Sequence, residues 1–500
     1  MTPAPAAVSE THTGVVFFAG DRAYKMKKPV DLGFVDFTGR ASRERACHRE
    51  VRLNRRFAPD VYLGVADVHG PDGTVCDHLV IMRRMPAERR LSTLVAGHAP
   101  AEAVEEPVRA TARALAAWHA RAPRGPEIAA EGGRDALLGR WADGFEQVRP
   151  FHGRVLDAAA AEEIEARARD YLAGRAPLLE ARAAAGRVVD GHGDLMADDI
   201  FCLDDGPRIL DCLEFDDRLR WLDGLDDAAF LAMDLERLGA PSLAERFVRW
   251  YAEFAADPAP PSLQHHYVAY RAFVRAKVAC LRHAQGDRRA AAAAGTFAGT
   301  ALRHLRAGTV GLVLVGGTPG TGKSTLAGAI AGRLGCTLLS SDRIRKELAG
   351  LSPEDPAAAA YGEGLYGPEQ TFRTYTELAR RTRRLLEQGE TVVLDASWTS
   401  RAHRDLVTAL ARRERAELHQ LRCQVPEAVA AERLRTRPRG ASDADAHVAA
   451  AMAATADPWP EAVTVDTGGP LERSLEHALA IVRPHGAEHV WRHRPQISPD

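Results

Sequence analysis

Five hundred residues exceed what one ordinary hydrophobic core organises, so two or three domains are expected. Basic and acidic residues nearly cancel, 66 against 68, for a formal net charge of −2, which argues against a general electrostatic grip on nucleic acid or an anionic membrane. Seven scattered cysteines lack a CxxC pair or metal-ligand spacing, and the opening MTPAPAAVSETHTG carries no export signal, so a reducing cytoplasm is the expected location.

Between Thr13 and Val30, the segments GVVFFAG and AYKMKKPV flank Asp21-Arg22, which predicts two short strands around a tight turn. The run from Arg40 to Phe57 places Ala46, Val51, Leu53, Asn54 and Phe57 near one helical face. VYLGVADVHGPDGTVCDHLVIMRRMP then reads as strands joined by a Pro-Asp-Gly turn, completing a small β-rich lobe over about 1–88. Beyond Leu91 the chain is alanine-rich and helical through Leu94–Arg121 and Ala158–Ala185. It breaks into strand and loop at VVDGHGDLMADDIFCLDDGPRILDCLEF and returns to helix as far as His283, giving a second lobe over about 89–285. A helical linker is predicted over 286–308. From Val310 the order is strand, glycine-rich loop, helix, strand, with further strands in ETVVLDASW and AELHQLRCQV. That alternation predicts a parallel sheet covered by helices over 309–485, and the tail, 486–500, is expected to be poorly ordered.

Gly317 to Ser324 matches G-x-x-x-x-G-K-[ST] between an apolar strand and a helical pattern. Its glycines let the backbone turn tightly and aim N–H groups at phosphates, so Gly317, Thr318, Gly320, Thr321, Gly322, Lys323, Ser324 and Thr325 form the candidate ATP-binding set. Lys323 would reach the β- and γ-phosphates and Ser324 would hold Mg²⁺. A merely glycine-rich turn does not account for Lys323 and Ser324 together. Asp395 ends the apolar run TVVLD and is a candidate Mg²⁺ carboxylate, although strand-end aspartates also serve simply as turn formers. Asp342 follows the strand CTLLSS, with Arg345 three residues on. The pair could deprotonate an acceptor hydroxyl and fix a phosphate or the acceptor, or be a helix cap with a solvated arginine.

The pieces GTPGTGKST, SSDRIRKEL, VVLDASW and AERLRTRPRG resemble, over roughly Val310 to Val482, P-loop kinases of the polynucleotide-kinase, zeta-toxin and gluconate-kinase type. The resemblance implies a lid whose arginines, Arg433 and Arg437, cover the nucleotide phosphates. A solvated arginine-rich face is the alternative.

A second set of motifs lies in the first half. In AYKMKK, alternation puts Lys25 and Lys27 on one strand face, so either could meet ATP phosphates, and Glu50 on the next helix is the carboxylate to orient that lysine. Its alternative partners are Arg45 and Arg55. HGDLMADDIF places Asp194 in a loop between apolar strands, where it can orient or deprotonate an acceptor hydroxyl. Asp211, in ILDC, is the candidate Mg²⁺ aspartate, with Glu214 close enough to assist or to touch substrate. Asp199 stands where a kinase loop has asparagine. A carboxylate remains a good Mg²⁺ ligand, so the change removes no coordination chemistry, but it adds repulsion beside Asp194, Asp198 and Asp211. His192 reads as a loop brace, Asp226 and Asp227 as helix caps, and Arg275 and Lys277 as a helix face that is solvated or, alternatively, closes the acceptor cleft.

AYKMKKP, the Glu50 helix, HGDLMADDIF and ILDCLEFDD together resemble aminoglycoside phosphotransferases, which implies a protein-kinase-like, two-lobed α+β domain ahead of the α/β P-loop domain. The whole chain is similar to bacterial bifunctional fusions of an aminoglycoside-phosphotransferase-like half with an ATP-binding half. The resemblance implies an ATP- and Mg²⁺-dependent phosphotransferase with two nucleotide sites and small-molecule acceptors. The alternatives are a ligand sensor coupled to a nucleotide-dependent switch, and nucleic-acid end phosphorylation by the P-loop half. The near-neutral charge weakens the last.

Overall fold

The computed structural model describes residues 7–10, 13–31, 36–97, 101–352, 355, 363–436 and 446–483. Arg437 and the predicted tail lie outside the described residues. The backbone divides into two bodies. The first comprises Met1–Asp157, Glu180–Ala259 and Tyr267–Ala301, and the second Ala158–Leu179, Pro260–His266 and Leu302–Asp500. This corrects a single boundary at 286–308. That stretch is helical, as Ala290–Ala307, but the helix Ala158–Gly174 groups with the P-loop body. Its alanine-rich pattern is of the same kind as that of its sequence neighbours, so composition cannot reveal which core its buried Ile164, Ala168 and Leu172 join.

In the first body, β1 (Ala7–Glu10), β2 (Gly14–Ala19), β3 (Arg22–Lys27), β4 (Tyr62–His69) and β5 (Val75–Arg83) form an antiparallel sheet in the order β1-β2-β3-β5-β4. The helix Arg40–Asn54 contributes Cys47 and Val51 to a core completed by Ala23, Val61, Tyr62, Val80 and Met82. Each such fully buried aliphatic side chain contributes about 1.5–3 kcal/mol. The period-two alternation of β3 buries Ala23, Lys25 and Lys27 on one face. β1 was not anticipated, because AVSE is exposed throughout and its pairing with β2 rests on backbone bonds. Beyond the sheet, β6 (Val188–Asp190) pairs with β9 (Trp221–Asp223), and β7 (Ile200–Leu203) forms a hairpin with β8 (Gly206–Ile209). Residues 191–199, between β6 and β7, are the predicted catalytic loop. Around them lie the helices Ala101–Arg121, Arg134–Val148, Gly224–Arg237, Pro241–Phe254 and most of Pro261–Ala284.

In the second body, β10 (Gly311–Gly316), β11 (Thr337–Ser340), β12 (Val392–Asp395), β13 (Glu417–Gln424) and β14 (Val463–Asp466) form a wholly parallel sheet in the order β11-β12-β10-β13-β14. Val313 and Val315 of β10 pack with Leu326, Ala327 and Ile330 of the helix Lys323–Leu334. Register pairs Asp395 with Val315 on one side and Ser340 on the other, so the carboxyl ends of three strands are level. Ligands of open parallel sheets bind at that edge. All seven cysteines are free thiols, and among the described residues no helix is long and apolar enough to cross a membrane.

Candidate active sites

Glu50, fully buried on the helix Arg40–Asn54, joins both lysines of β3: its Oε1 lies 2.9 Å from Lys25 Nζ and its Oε2 2.6 Å from Lys27 Nζ. Lys25 Nζ also donates to Asp211 Oδ1 at 2.5 Å, and Lys27 Nζ to Glu214 Oε1 at 2.5 Å. Two cations and three carboxylates, with paired groups up to 187 residues apart, thus form one chain of ion pairs. Burial by itself would strip the lysines of their protons, but the carboxylates outweigh it and hold both ammonium groups above their ordinary range. Likewise, burial pushes Glu50 up, and Lys25 with Lys27 more than reverses the effect. The alternatives of Arg45 or Arg55 as partners of Glu50 are not realised. Glu214 is the second counter-ion of Lys27.

The 191–199 loop is fixed from behind. Asp227, on the helix Gly224–Arg237 and without exposed surface, accepts the N–H of His192 at 2.7 Å and of Gly193 at 3.0 Å, while His119 Nε2 lies 3.1 Å from its Oδ2. Although burial raises it, the His119 bond and the loop amides hold its carboxyl well below the usual range. The expected capping role belongs instead to Asp223, which accepts from the N–H of Leu225, and Asp226 takes a bidentate pair from Arg271 at 2.7 Å and 2.7 Å. His192 braces the loop as predicted. Its Nε2 donates to the Leu210 carbonyl at 2.9 Å, its Nδ1 accepts the Asp194 N–H at 3.4 Å, and burial lowers its pKa.

Asp194 is left with an open side chain, 43% exposed, and its only ion-pairing neighbour among the described residues is Arg275, at 3.9 Å. Desolvation in its recess raises its carboxyl, and Arg275 opposes the rise. Arg275 therefore does not merely face solvent. Asp199 and Asp211 are brought together by the β7–β8 hairpin, whose Ile200–Ile209 register puts Asp199 opposite Leu210, with the Leu210 N–H donating to the Asp199 carbonyl at 2.9 Å. Asp211 sits at φ +61°, a left-handed conformation that a non-glycine residue holds only when its surroundings enforce it. Its N–H donates to Tyr62 Oη at 3.1 Å. Burial, then Asp211 and Asp194, push Asp199 well above the usual carboxylate range, whereas Lys25 keeps Asp211 below it. The repulsion expected of the aspartate substitution is present. Among the described residues there is no group of three or more His, Cys, Asp or Glu able to hold a metal ion. Asp199 and Asp211 are two hard carboxylates that could hold Mg²⁺.

In the second body, Gly320 and Gly322 lie at φ +87° and +83°, and a Cβ on Gly320 would come 2.6 Å from the Ala430 carbonyl oxygen. Gly322 precedes the helix Lys323–Leu334, whose first amides face the loop. Asp395 is almost fully buried and its Oδ1 has no hydrogen-bond partner. Burial raises its carboxyl, opposed by Lys323 and by the Ser324 hydroxyl. An orphaned carboxylate oxygen beside a P-loop serine fits a Mg²⁺ ligand set. Arg433 Nη2 donates to the Thr467 carbonyl at 2.8 Å, and Thr467 Oγ1 to the Thr321 carbonyl at 2.5 Å, which ties the arginine to the P-loop. The solvated alternative for Arg433 is thereby set aside. Asp342 stands in the first turn of the helix Ser341–Leu348, beyond the strand end where it was expected. Ser340 holds the cap position. Arg345 is buried, donating from Nη1 to the Leu365 carbonyl at 2.9 Å and to Thr371 Oγ1 at 3.1 Å, with its guanidinium 4.8 Å from the Tyr366 ring centre. Its Nε is buried without an acceptor.

An uncharacterized protein of Mycobacterium tuberculosis is 42% identical over 485 residues, which cover 97% of this chain and 95% of the relative. The chain belongs to the family of that mycobacterial protein. Residues 312–459 match the AAA domain family, inside the predicted P-loop region. Among solved structures, a choline/ethanolamine kinase family protein from Mesorhizobium loti is similar at 16% identity over 61% of this chain and 92% of its own, with a TM-score of 0.38. A gluconokinase from Sinorhizobium meliloti is similar at 23% identity over 35% of this chain and 91% of its own, with a TM-score of 0.26. Two members of the sites escaped sequence reasoning. His119 lies far from every motif in sequence, with no local signal. Trp398, three residues after Asp395 at φ +55°, reads from sequence as an ordinary aromatic, yet its ring lies 2.8 Å from where a Cβ on Gly316 would be.

Proposed function

We propose that this protein is an ATP-dependent kinase with two phosphotransfer sites, both acting on hydroxyl groups of small molecules. The observation that carries the reading is the convergence of Lys25, Glu50 and Asp211 in one ion-paired array, with Asp194 left open on a loop braced by Asp227. At the first site, the open carboxylate of Asp194 takes the acceptor hydroxyl's proton as its oxygen attacks the γ-phosphorus of ATP, and the bond from that phosphorus to the bridging oxygen of ADP breaks. Lys25, oriented by Glu50, holds phosphate oxygens, and Arg275 offsets part of the rise that burial imposes on the Asp194 carboxyl. At the second site, Lys323 and the loop amides hold the β- and γ-phosphates, Arg433 offsets charge from the side, and Asp342 is positioned to receive the acceptor proton. Asp199 and Asp211 at one site, and Ser324 and Asp395 at the other, would hold Mg²⁺, which would supply neutralisation of phosphate charge.

The test uses Asp194→Ala and Lys323→Ala, each assayed for Mg²⁺-dependent ATP turnover with aminoglycosides, sugars, choline, nucleosides and oligonucleotides. Each variant is expected to lose one activity and keep the other. A wild type that binds ATP in both bodies but phosphorylates no acceptor would sink the proposal in favour of a sensor. Phosphorylation of oligonucleotides alone would replace the small-molecule reading of the P-loop half.

A further inference from the structure

A cavity of about 550 Å³ lies within the second body, at the amino ends of β10 and β13, where Val310 and Glu417 line it. The P-loop follows the opposite end of β10, about 20 Å away at 3.3 Å per residue. Nucleotides bind parallel sheets at the carboxyl edge, so this cavity is not part of the P-loop site.

Arg175 lines it and has no exposed surface. Its Nη1 and Nη2 donate to the backbone carbonyls of Leu386 and Glu414, at the C-terminal ends of the helices Pro368–Glu387 and Arg401–Arg413. Helix ends carry only partial negative charge. Among the described residues no carboxylate lies within ion-pairing distance of Arg175, and its Nε is buried without an acceptor. Capping two helices explains both Nη atoms. It explains neither the unpartnered Nε nor the cavity beside it. Glu414 and Glu387 act on Arg175 only through space and do not offset its burial; a buried guanidinium without a paired carboxylate is costly, and an anion entering the cavity would relieve that cost.

The walls support the same reading. Arg412 is exposed on the lining. Arg415, also exposed, is paired at 3.4 Å with the exposed Asp170, and Arg167 shares Glu163 with Arg306 from outside the lining, so the lining arginines, Arg167, Arg175, Arg412 and Arg415, outnumber the lining carboxylates, Glu163, Asp170 and Glu417, by one. Tyr171 stacks on His266, ring centres 4.3 Å apart and 14° from coplanar, which gives the cavity one flat wall. The volume falls within the range of small-molecule sites.

We propose that this cavity binds a small organic anion, a phosphate or carboxylate carried on a flat ring, with the anionic group meeting Arg175 and the ring lying along the Tyr171–His266 wall. The ligand enters past Arg412 and Arg415.

The experiment is calorimetric titration of the full chain carrying Lys323→Ala and Asp194→Ala, so that neither nucleotide site supports turnover, with phenyl phosphate, benzoate, inorganic phosphate and benzyl alcohol. One equivalent of phenyl phosphate or benzoate is expected to bind at least about tenfold more tightly than benzyl alcohol, and phenyl phosphate more tightly than inorganic phosphate. Whichever anion binds better names the natural headgroup. Adding Arg412→Glu with Arg415→Glu, both on exposed positions, is expected to weaken binding by at least about tenfold while leaving cooperative melting unchanged. Arg175→Met is expected to abolish it. If Arg175→Met fails to fold, the Arg412 and Arg415 pair decides. Equal binding of the neutral and anionic probes, or undiminished binding in the normally melting Arg412 and Arg415 variant, overturns the proposal.

Discussion

The two candidate sites hold their charge in opposite ways. In the first body every buried cation has a carboxylate of its own: Lys25 holds Asp211, Lys27 holds Glu214, and Glu50 bridges both. In the second body the phosphate site is made of backbone amides and one lysine, and the nearest metal carboxylate, Asp395, keeps an oxygen unpartnered. The first site must therefore exchange partners to accept a nucleotide, because Lys25 cannot serve phosphate and Asp211 equally at once. The second needs no exchange. Neutralising charge internally protects a buried array against desolvation, whereas backbone donors carry no net charge and can stay open.

The largest effects should break the comparison outright. Asp194→Asn is expected to lower turnover at the first site by about 10³-fold and leave P-loop turnover untouched, with Lys323→Ala doing the reverse, each read with separate acceptors. A single variant silencing both activities would show that the sites do not work independently.

Next in size is Asp227→Ala, which leaves the His192 and Gly193 amides and His119 without their acceptor. About 3 kcal/mol of stability should be lost in denaturant titration at neutral pH. Because the Asp227 carboxyl is held below its unfolded value, its contribution is present above that value and disappears as pH falls through the folded one. Wild type and variant should thus converge in strong acid. A constant difference at every pH would mean that packing, not the charged bonds, is lost.

Asp199→Asn sharpens the contrast more gently. Substantial turnover should remain, with the Mg²⁺ requirement shifted by up to about tenfold. In wild type the raised Asp199 carboxyl must release its proton before taking metal, so the Mg²⁺ requirement should grow as pH falls through its folded value, and that slope should flatten in the variant. The apo protein carries the reverse sign: its stability is lost as pH rises through the same value, and Asp199→Asn should remove that loss. The smallest effect is expected from Glu214→Gln, a change of about two- to fivefold in the ATP KM at the first site with the P-loop KM constant.

Much of this was legible in the sequence, and the reason lies in the motifs. G-x-x-x-x-G-K-[ST] places its chemistry within eight consecutive residues, so Lys323, Ser324 and the glycines could be named from local pattern alone. Lys25 and Asp211 are 186 residues apart, and only the resemblance to a two-lobed fold brought them together. What stayed hidden was long-range and side-chain specific. Alternation predicts that Lys25 and Lys27 share a face, but not that one glutamate serves both. A DD pair at a helix start looks like capping, and nothing local reveals that Asp227 points backward to the loop amides. β14 went unread because only Val465 of its four residues is buried, which leaves no hydrophobic pattern to detect.

The shared glutamate also explains a detail of composition. All but six of the 66 basic residues are arginine, yet β3 holds two of the six lysines in three positions. Lys27 is 1% exposed and presents a compact point charge between Glu50 and Glu214. A guanidinium is a wide planar fork whose five donors would need acceptors within the same closed space. Shape as well as charge therefore fixes the residue there, and Lys27→Arg, conservative by sign, is not conservative at this position.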